Sequence, residues 1–247
     1  MANWNDPQPS QAGFGASSSV SGTWGRSNVY DAGLRRHMLS IYNYMASGVL
    51  LSGIVALGFA ASGMAEAVLM TPLRWIIALA PLAFVMVMSF GINRLSTSAM
   101  QGLFWAFSVM MGLSLSSIFL VYTGASIAVT FFATAGAFAG LSLFGYTTQK
   151  SLSGMGTFLI MGLFGILIAS LINMFLHSPG LSWGISFLGV LIFAGLTAYD
   201  TQKLKEQYGY VAGTAMAGKA VIMGALNLYL DFINMFLMLL RFMGDRR

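Results

Sequence analysis

The sequence predicts an all-α integral membrane protein built from seven transmembrane helices. Hydrophobic residues make up 57% of the 247 residues and charged residues only 8%, and the mean hydropathy is +0.77. Soluble domains carry about 25% charged residues, because an apolar core needs a polar shell. This chain lacks the residues for such a shell, so its apolar surface is expected to face lipid.

Seven apolar runs are long enough to cross a bilayer, whose ~30 Å hydrocarbon core takes about 20 helical residues. They cover approximately 38–61, 75–93, 101–122, 126–146, 156–176, 181–200 and 220–242. Short loops separate most runs, which predicts antiparallel packing of neighbouring helices. Small residues recur in GAFAG (136–140) and at Gly162, Gly165 and Ala169. This spacing predicts close helix packing in lipid.

The first 31 residues differ in composition from the rest of the chain. They are rich in Ser, Gly, Asn and Gln, show no apolar period, and lack the apolar stretch of a signal peptide. We interpret 1–31 as a flexible polar tail and 32–247 as a multi-pass membrane domain.

The distribution of Lys and Arg predicts that the tail is cytoplasmic, because cytoplasmic loops carry the excess of these residues. With the tail inside, the cytoplasmic side receives eight of them: Arg26, Arg35, Arg36, Arg94, Lys150, Lys203, Lys205 and Lys219. The other side receives only Arg74 before the C-terminus. A full seventh crossing would place Arg241, Arg246 and Arg247 outside, against the rule. The sequence therefore leaves open whether the last run crosses or returns.

Two classes of function are disfavoured by the same composition. The net charge of +5 comes from basic residues scattered near the ends of apolar runs, a placement typical of topology signals rather than of nucleic-acid binding. The chain has no cysteine, which excludes disulfides, thiol catalysis and Cys-based zinc sites and fits a bacterial inner membrane.

Two acids stand out because they lie in or beside apolar runs. Asp200 follows the sixth run in GLTAYDTQKLKEQYG, and Asp231 lies inside the seventh in NLYLDFINMFLMLL. The helical face of Asp231 is a polar stripe in an otherwise apolar cylinder, which predicts a helix wrapped by the others. The stripe consists of Gly224, Asn227, Asp231, Asn234, Met238 and Arg241.

The two acids are expected to meet, because one loop joins their helices. Two carboxylates in a poorly hydrated site cannot readily both ionise, so such a pair shares a proton near neutral pH. The pair is then a natural pH sensor or a weak site for a cation.

Asp200 has simpler alternatives: an interfacial partner for Lys203, or a cap on the TQKLKEQ segment that follows it. Asp231 has fewer purely structural roles open to it, because inserting an acid at the centre of a membrane helix costs roughly 2.5–3.5 kcal/mol.

Arg94 is the third candidate residue. It follows the second run, in SFGINR, on the same membrane side as both acids. It is either a topology charge at the membrane edge or a removable counter-ion for the acid pair.

Two stretches resemble the signature motifs of the Bax-inhibitor family, also called the transmembrane Bax inhibitor motif family. They are AGLTAYDTQKLKEQY, around Asp200, and LNLYLDFINMFLMLLRF, around Asp231. The stretch GLSLSSIFLVYTGASIAVTFFATAG (112–136) is similar to that family's third-to-fourth helix region. The resemblance covers roughly 32–243, and GYVAGTAMAGKA between the acids is similar to the bacterial branch.

The resemblance implies a bundle in which six helices surround a central C-terminal helix. It also implies a pH-sensitive calcium leak channel governed by an aspartate pair, here Asp200 and Asp231, which would bind Ca²⁺ weakly and transiently. Arg94 is the nearest match to an arginine that latches this pair. Apart from Ca²⁺ as the transported ion, no cofactor is expected. The expected partners are the lipid bilayer and calcium ions.

Two alternatives come from other functional classes. Some members of the family bind a membrane protease and modulate proteolysis, so a non-conducting regulator of a protease or stress-response partner is the first. The second is an intramembrane aspartyl protease of the presenilin type, which also needs two aspartates. Such proteases carry Gly-x-Gly-Asp and a later Pro-Ala-Leu. This chain reads LYLD and has no Pro after Pro179, so we expect no enzyme activity.

Overall fold

The computed structural model describes the backbone from Val20 to Arg247 and the side chains from Ala32 onward, except that of Leu69. The predicted polar tail, 1–31, lies outside the residues whose side chains are described. Its proposed flexibility and its role stay predictions.

Seven long apolar helices, joined by short connections, account for the described chain. The long helices are α1 Val20–Ala61, α3 Leu73–Gly91, α4 Thr97–Leu115, α6 Gly124–Thr147, α7 Ser153–Leu176, α8 Pro179–Val211 and α9 Ala217–Met243. Two short helices connect them, α2 Met64–Leu69 and α5 Ile118–Val121. Apart from an isolated bridge between Tyr122 and Arg246, residues 20–247 contain no β-structure. The prediction of an all-helical protein with seven helices long and apolar enough to cross a membrane is confirmed.

Polar residues cap the beginnings of three of these helices. Ser96, Thr123 and Ser178 each accept a hydrogen bond from a backbone N–H in the first turn, of α4, α6 and α8 respectively. Such caps satisfy N–H groups that have no partner within the helix. Pro179 follows at the first position of α8, where its missing N–H costs nothing.

The sixth long helix is longer than predicted. The apolar run ends near residue 200, but α8 continues to Val211. Leu, Lys, Glu and Gln in TQKLKEQ are strong helix formers, so the helix extends beyond its apolar part. Asp200 therefore lies in a helix interior, and the alternative that it caps a following turn is wrong.

The last helix is long and apolar enough to cross completely, and it shows no return to the side on which it begins. The 27 residues of α9 are continuous and span ~40 Å. Beyond it, Thr123 N–H donates to the Asp245 carbonyl (3.1 Å) and Arg247 N–H to that of Val121 (2.9 Å). These contacts place the C-terminus beside the α5–α6 connection.

The loops lie at two opposite faces of the helix array. We call the side with the connections 92–96, 148–152 and 212–216 the α8–α9 face. The other side, with 62–72, 122–123, 177–178 and 244–247, is the C-terminal face. Arg241, Arg246 and Arg247 share the C-terminal face with Arg74.

Helix α9 is the most buried of the seven. In the most apolar 18-residue stretch of α9, 61% of the residues are buried, against 11–39% in the corresponding stretches of the other six long helices. It packs on α1, α4, α6 and α8, while α3 packs on α4 and α7 packs on α8. Its core includes Leu226, Leu228 and Tyr229, each 0% exposed.

Only one of the predicted glycines makes a close helix contact within the described structure. Gly136 and Gly140 of GAFAG, and Gly165, face open space within the described structure. A Cβ at Gly145 would instead press against the Ala198 backbone, and one at Gly112 would lie 2.7 Å from the Ser52 carbonyl oxygen. Of the predicted positions, Gly162 does contact α8, through Ile192. The GxxxG spacing marked the wrong contacts because it does not say which helix face meets a neighbour.

Candidate functional site

The polar stripe of α9 faces α8. A Cβ at Gly224 would lie 2.8 Å from Leu204, and Gly189 packs against Met238. Asp231 lies midway between positions 224 and 238 on the same helix face, so its side chain points toward α8 near Asp200. From Asp200 to the end of α8 is eleven residues, which places the pair ~16 Å along the helix from the α8–α9 connection.

Asp200 and Asp231 are in direct contact. Their carboxyl groups interact with each other both as charges and as hydrogen-bond partners, and a hydrogen bond between two carboxyl groups needs a proton on one of them. Asp231 is only 6% exposed, and Asp200 is half-buried. Oδ2 of Asp231 is buried and accepts no hydrogen bond from the described residues. A buried oxygen without a donor is free to bind a proton or a cation.

The charges around this pair are few. Lys203, one turn beyond Asp200, interacts electrostatically with it. Its ammonium is exposed and lies 5.9 Å from the centroid of the Tyr199 ring. Asn227 and Asn234 are half-buried on the stripe, whereas Arg241 is exposed at the end of α9. The stripe is therefore most polar near the acids and reaches the C-terminal face at Arg241.

Arg94 is not brought to the acids in this conformation. It lies exposed in the turn after α3, where its N–H donates to the Gly91 carbonyl (2.9 Å). Within residues 32–247 its guanidinium forms no ion pair with either aspartate. The nearby cation that does bind a helix end is Lys219, whose Nζ donates to the Ile92 carbonyl (2.9 Å). The counter-ion role of Arg94 stays a prediction.

Gln202, next to the acid pair in sequence, was not among the predicted residues. Its side-chain Oε1 accepts from Leu152 N–H (2.7 Å) and its Nε2 donates to the Lys150 carbonyl (2.9 Å). It thereby fastens the α6–α7 connection to α8 at the start of α7. A buried amide needs partners for both of its ends. The signal available in the sequence was its position two residues beyond the apolar run, among other polar residues.

A second missed group joins three helices deeper in the bundle. The hydroxyl groups of Tyr229 in α9 and Ser52 in α1 lie 2.6 Å apart. Ser52 Oγ also lies 2.6 Å from the Ser108 carbonyl of α4. Tyr229 is in the LYLD motif two residues before Asp231, and a buried tyrosine needs a partner for its hydroxyl. No sequence pattern identified Ser52 as that partner.

The chemistry available at the acid pair is proton exchange and weak cation binding. Ca²⁺ takes six to eight oxygen ligands, and two carboxylates supply about four at most. In the described part of the chain, no third His, Asp or Glu joins the pair. This donor set fits transient contact with a passing cation and does not fit tight binding.

Comparison with known proteins identifies the family of this chain. The family model described as inhibitor of apoptosis-promoting Bax1 matches residues 34–247. The chain is 49% identical over 220 residues to the inner membrane protein YbhL of Escherichia coli, covering 87% of this chain and 94% of YbhL. It is 45% identical over 227 residues to a protein of Rickettsia prowazekii, covering 91% and 96%. The chain therefore belongs to the Bax-inhibitor family, as its two aspartate motifs predicted.

Proposed function

We propose that the protein is a pH-sensitive calcium leak channel of a bacterial inner membrane, gated by Asp200 and Asp231. The contact between the two carboxyl groups, inside a membrane-spanning helix pair, is the observation that carries the proposal. The inner-membrane location is inferred from YbhL, which is named for it. The predicted cytoplasmic N-terminus is part of the proposal, and so is a central α9 surrounded by six helices.

The shared proton holds the gate closed. With one proton between them, the two carboxyl groups attract and keep α8 against α9. Without it, two negative charges in direct contact repel each other strongly, because water does not screen them there. The helices then separate and a hydrated path opens, in which the carboxylate oxygens bind Ca²⁺ briefly.

The sign of the pH dependence follows from this contact. The closed state holds one proton more than the open state, so raising the pH favours opening. Closure by Arg94 would give the opposite sign, because an arginine latch holds two ionised acids and protonation releases it. Since Arg94 forms no such pair here, we expect calcium flux to rise with pH.

Calcium flux into liposomes containing the purified chain, measured across roughly pH 5–8, tests the proposal. Asp200→Asn and Asp231→Asn should each give low, pH-independent flux, because an amide donates a permanent hydrogen bond to the remaining carboxylate. Glu206→Gln is the matched control: this acid is exposed in the same helix, and the variant should behave like wild type.

Other outcomes have defined meanings. Flux that falls with pH, and becomes pH-independent in Arg94→Gln, would assign closure to the arginine and overturn the shared-proton gate. Absence of flux at every pH in folded protein would overturn the channel and favour a regulator of a membrane-bound protease.

A further inference from the structure

A groove of about 820 Å³ runs between α1 and α6. Both helices pack on α9, but they leave a gap whose floor includes Phe232, 4% exposed. The groove extends along α1 from Arg35 to Leu50 and along α6 from Tyr146 to Phe131. Leu50 at its rim is 65% exposed, so the groove opens sideways toward the lipid.

The length of the groove matches one leaflet of a bilayer. Fifteen helical residues span ~22 Å, and half of a bilayer with its headgroup region measures about 20–22 Å. Arg35 and Tyr146 lie toward the α8–α9 face, so that end lies at headgroup level. Leu50 and Phe131, at the other end, lie near the membrane midplane.

The charge of the groove is confined to the headgroup end. Arg35 is exposed on the α1 side of this end. On the α6 side, Lys205 does not line the groove; its Nζ lies 5.3 Å from the Tyr146 ring centroid and donates to the Tyr146 carbonyl (2.8 Å). Further in, the walls are mainly apolar, with Met45, Val49 and Phe138 buried. A cation at one end of an apolar groove matches a phosphate attached to acyl chains.

The groove combines a cation at one end with apolar walls that open to the side. This combination favours a lipid with an anionic headgroup as its occupant.

We propose that this groove binds one phospholipid with an anionic headgroup, from the leaflet on the α8–α9 face. Its phosphate lies beside Arg35, and one of its acyl chains lies along α1 and α6 against Phe232. The site does not depend on the channel proposal, since it is formed by a different pair of helices.

Native mass spectrometry of the full-length chain, delipidated and then supplied with equal amounts of phosphatidylglycerol and phosphatidylcholine, tests the site. Wild type should retain one phospholipid, preferentially phosphatidylglycerol. Arg35→Gln should reduce that preference about fivefold, the factor one cation supplies near an anionic headgroup. Ala139→Phe, which fills the groove from α6, should lose most of the bound lipid of either type.

Each variant has a matched control. Arg36 is exposed beside Arg35 but does not line the groove, and Ala137 is exposed one residue before Phe138 on α6. Arg36→Gln and Ala137→Phe should retain lipid as wild type does. Equal retention in Ala139→Phe and wild type would overturn the proposal. So would a dimer mass that Ala139→Phe abolishes, which would assign the groove to a second copy.

Discussion

Asp231 shows how a single residue links sequence to site in this protein. A carboxyl group inside an apolar helix is costly in lipid, so its position alone predicted a polar partner and a place inside the bundle. The structure buries it to 6% exposure against Asp200. Its neighbour Tyr229, 0% exposed, follows the same logic with a neutral partner, Ser52.

The Tyr229–Ser52 pair yields a prediction about stability. Ser52→Ala removes the group that serves the Tyr229 hydroxyl, which is then buried without a partner and costs about 1–3 kcal/mol. Tyr229→Phe removes the hydroxyl itself and should cost about 0.6 kcal/mol, a typical value for a hydrogen bond between membrane helices. Equilibrium unfolding in SDS measures both. A larger loss in Tyr229→Phe than in Ser52→Ala would contradict this account of the pair.

At the scale of elements, α8 places the acid pair through its contacts on both sides. One side of α8 meets α9 through Leu204 and Gly224, and another meets α6 through Ala198 and Gly145. Gln202 adds a hydrogen-bonded attachment to the α6–α7 connection. Asp200 lies between these contacts, so its position depends on how closely α6 and α8 approach.

Gly145→Ala tests that dependence. The added methyl group would press against the Ala198 backbone, and we expect overpacking of this kind to cost about 1–3 kcal/mol. Gly140→Ala, on the same helix, meets only open space and should be neutral or slightly stabilising. Unfolding in SDS compares the two variants. Equal stabilities would show that α6 moves away from α8 without cost.

The whole molecule places its basic residues unequally at the two faces. The α8–α9 face has seven described Lys and Arg: Arg35, Arg36, Arg94, Lys150, Lys203, Lys205 and Lys219. The C-terminal face has Arg74, Arg241, Arg246 and Arg247. Although the direction of α9 puts three arginines on the C-terminal face, the bias still favours the α8–α9 face as cytoplasmic.

Labelling with a membrane-impermeant maleimide tests this orientation without interference, because the chain has no cysteine. In intact spheroplasts, Ser62→Cys and Arg247→Cys should react, whereas Ser151→Cys should react only after the membrane is disrupted. All three positions are exposed. Labelling of Ser151→Cys alone would reverse the orientation, and opposite accessibility of Ser62→Cys and Arg247→Cys would contradict a full crossing by α9.

Much of the fold and part of the site could be predicted from the sequence. Composition and run length determined a seven-helix membrane protein, because the bilayer imposes both the apolarity and the ~20-residue length of each crossing. Helical periodicity brought Gly224, Asp231 and Met238 onto one face. Their contact with α8 was not part of that pattern.

Only the tertiary structure decided which helices meet, since helix packing depends on the shapes of both surfaces. It showed that Gly145 rather than Gly140 makes a close contact, that the Ser52 hydroxyl is the partner of the Tyr229 hydroxyl, and that α1 and α6 leave an apolar groove. It also decided that α8 continues through Asp200, because residues beyond an apolar run remain helical when propensity and neighbouring contacts support them. The sequence by itself identified the two aspartates as candidate site residues and the protein as a membrane protein. Contact between the two aspartates depends on the packing of α8 on α9, which only the tertiary structure shows.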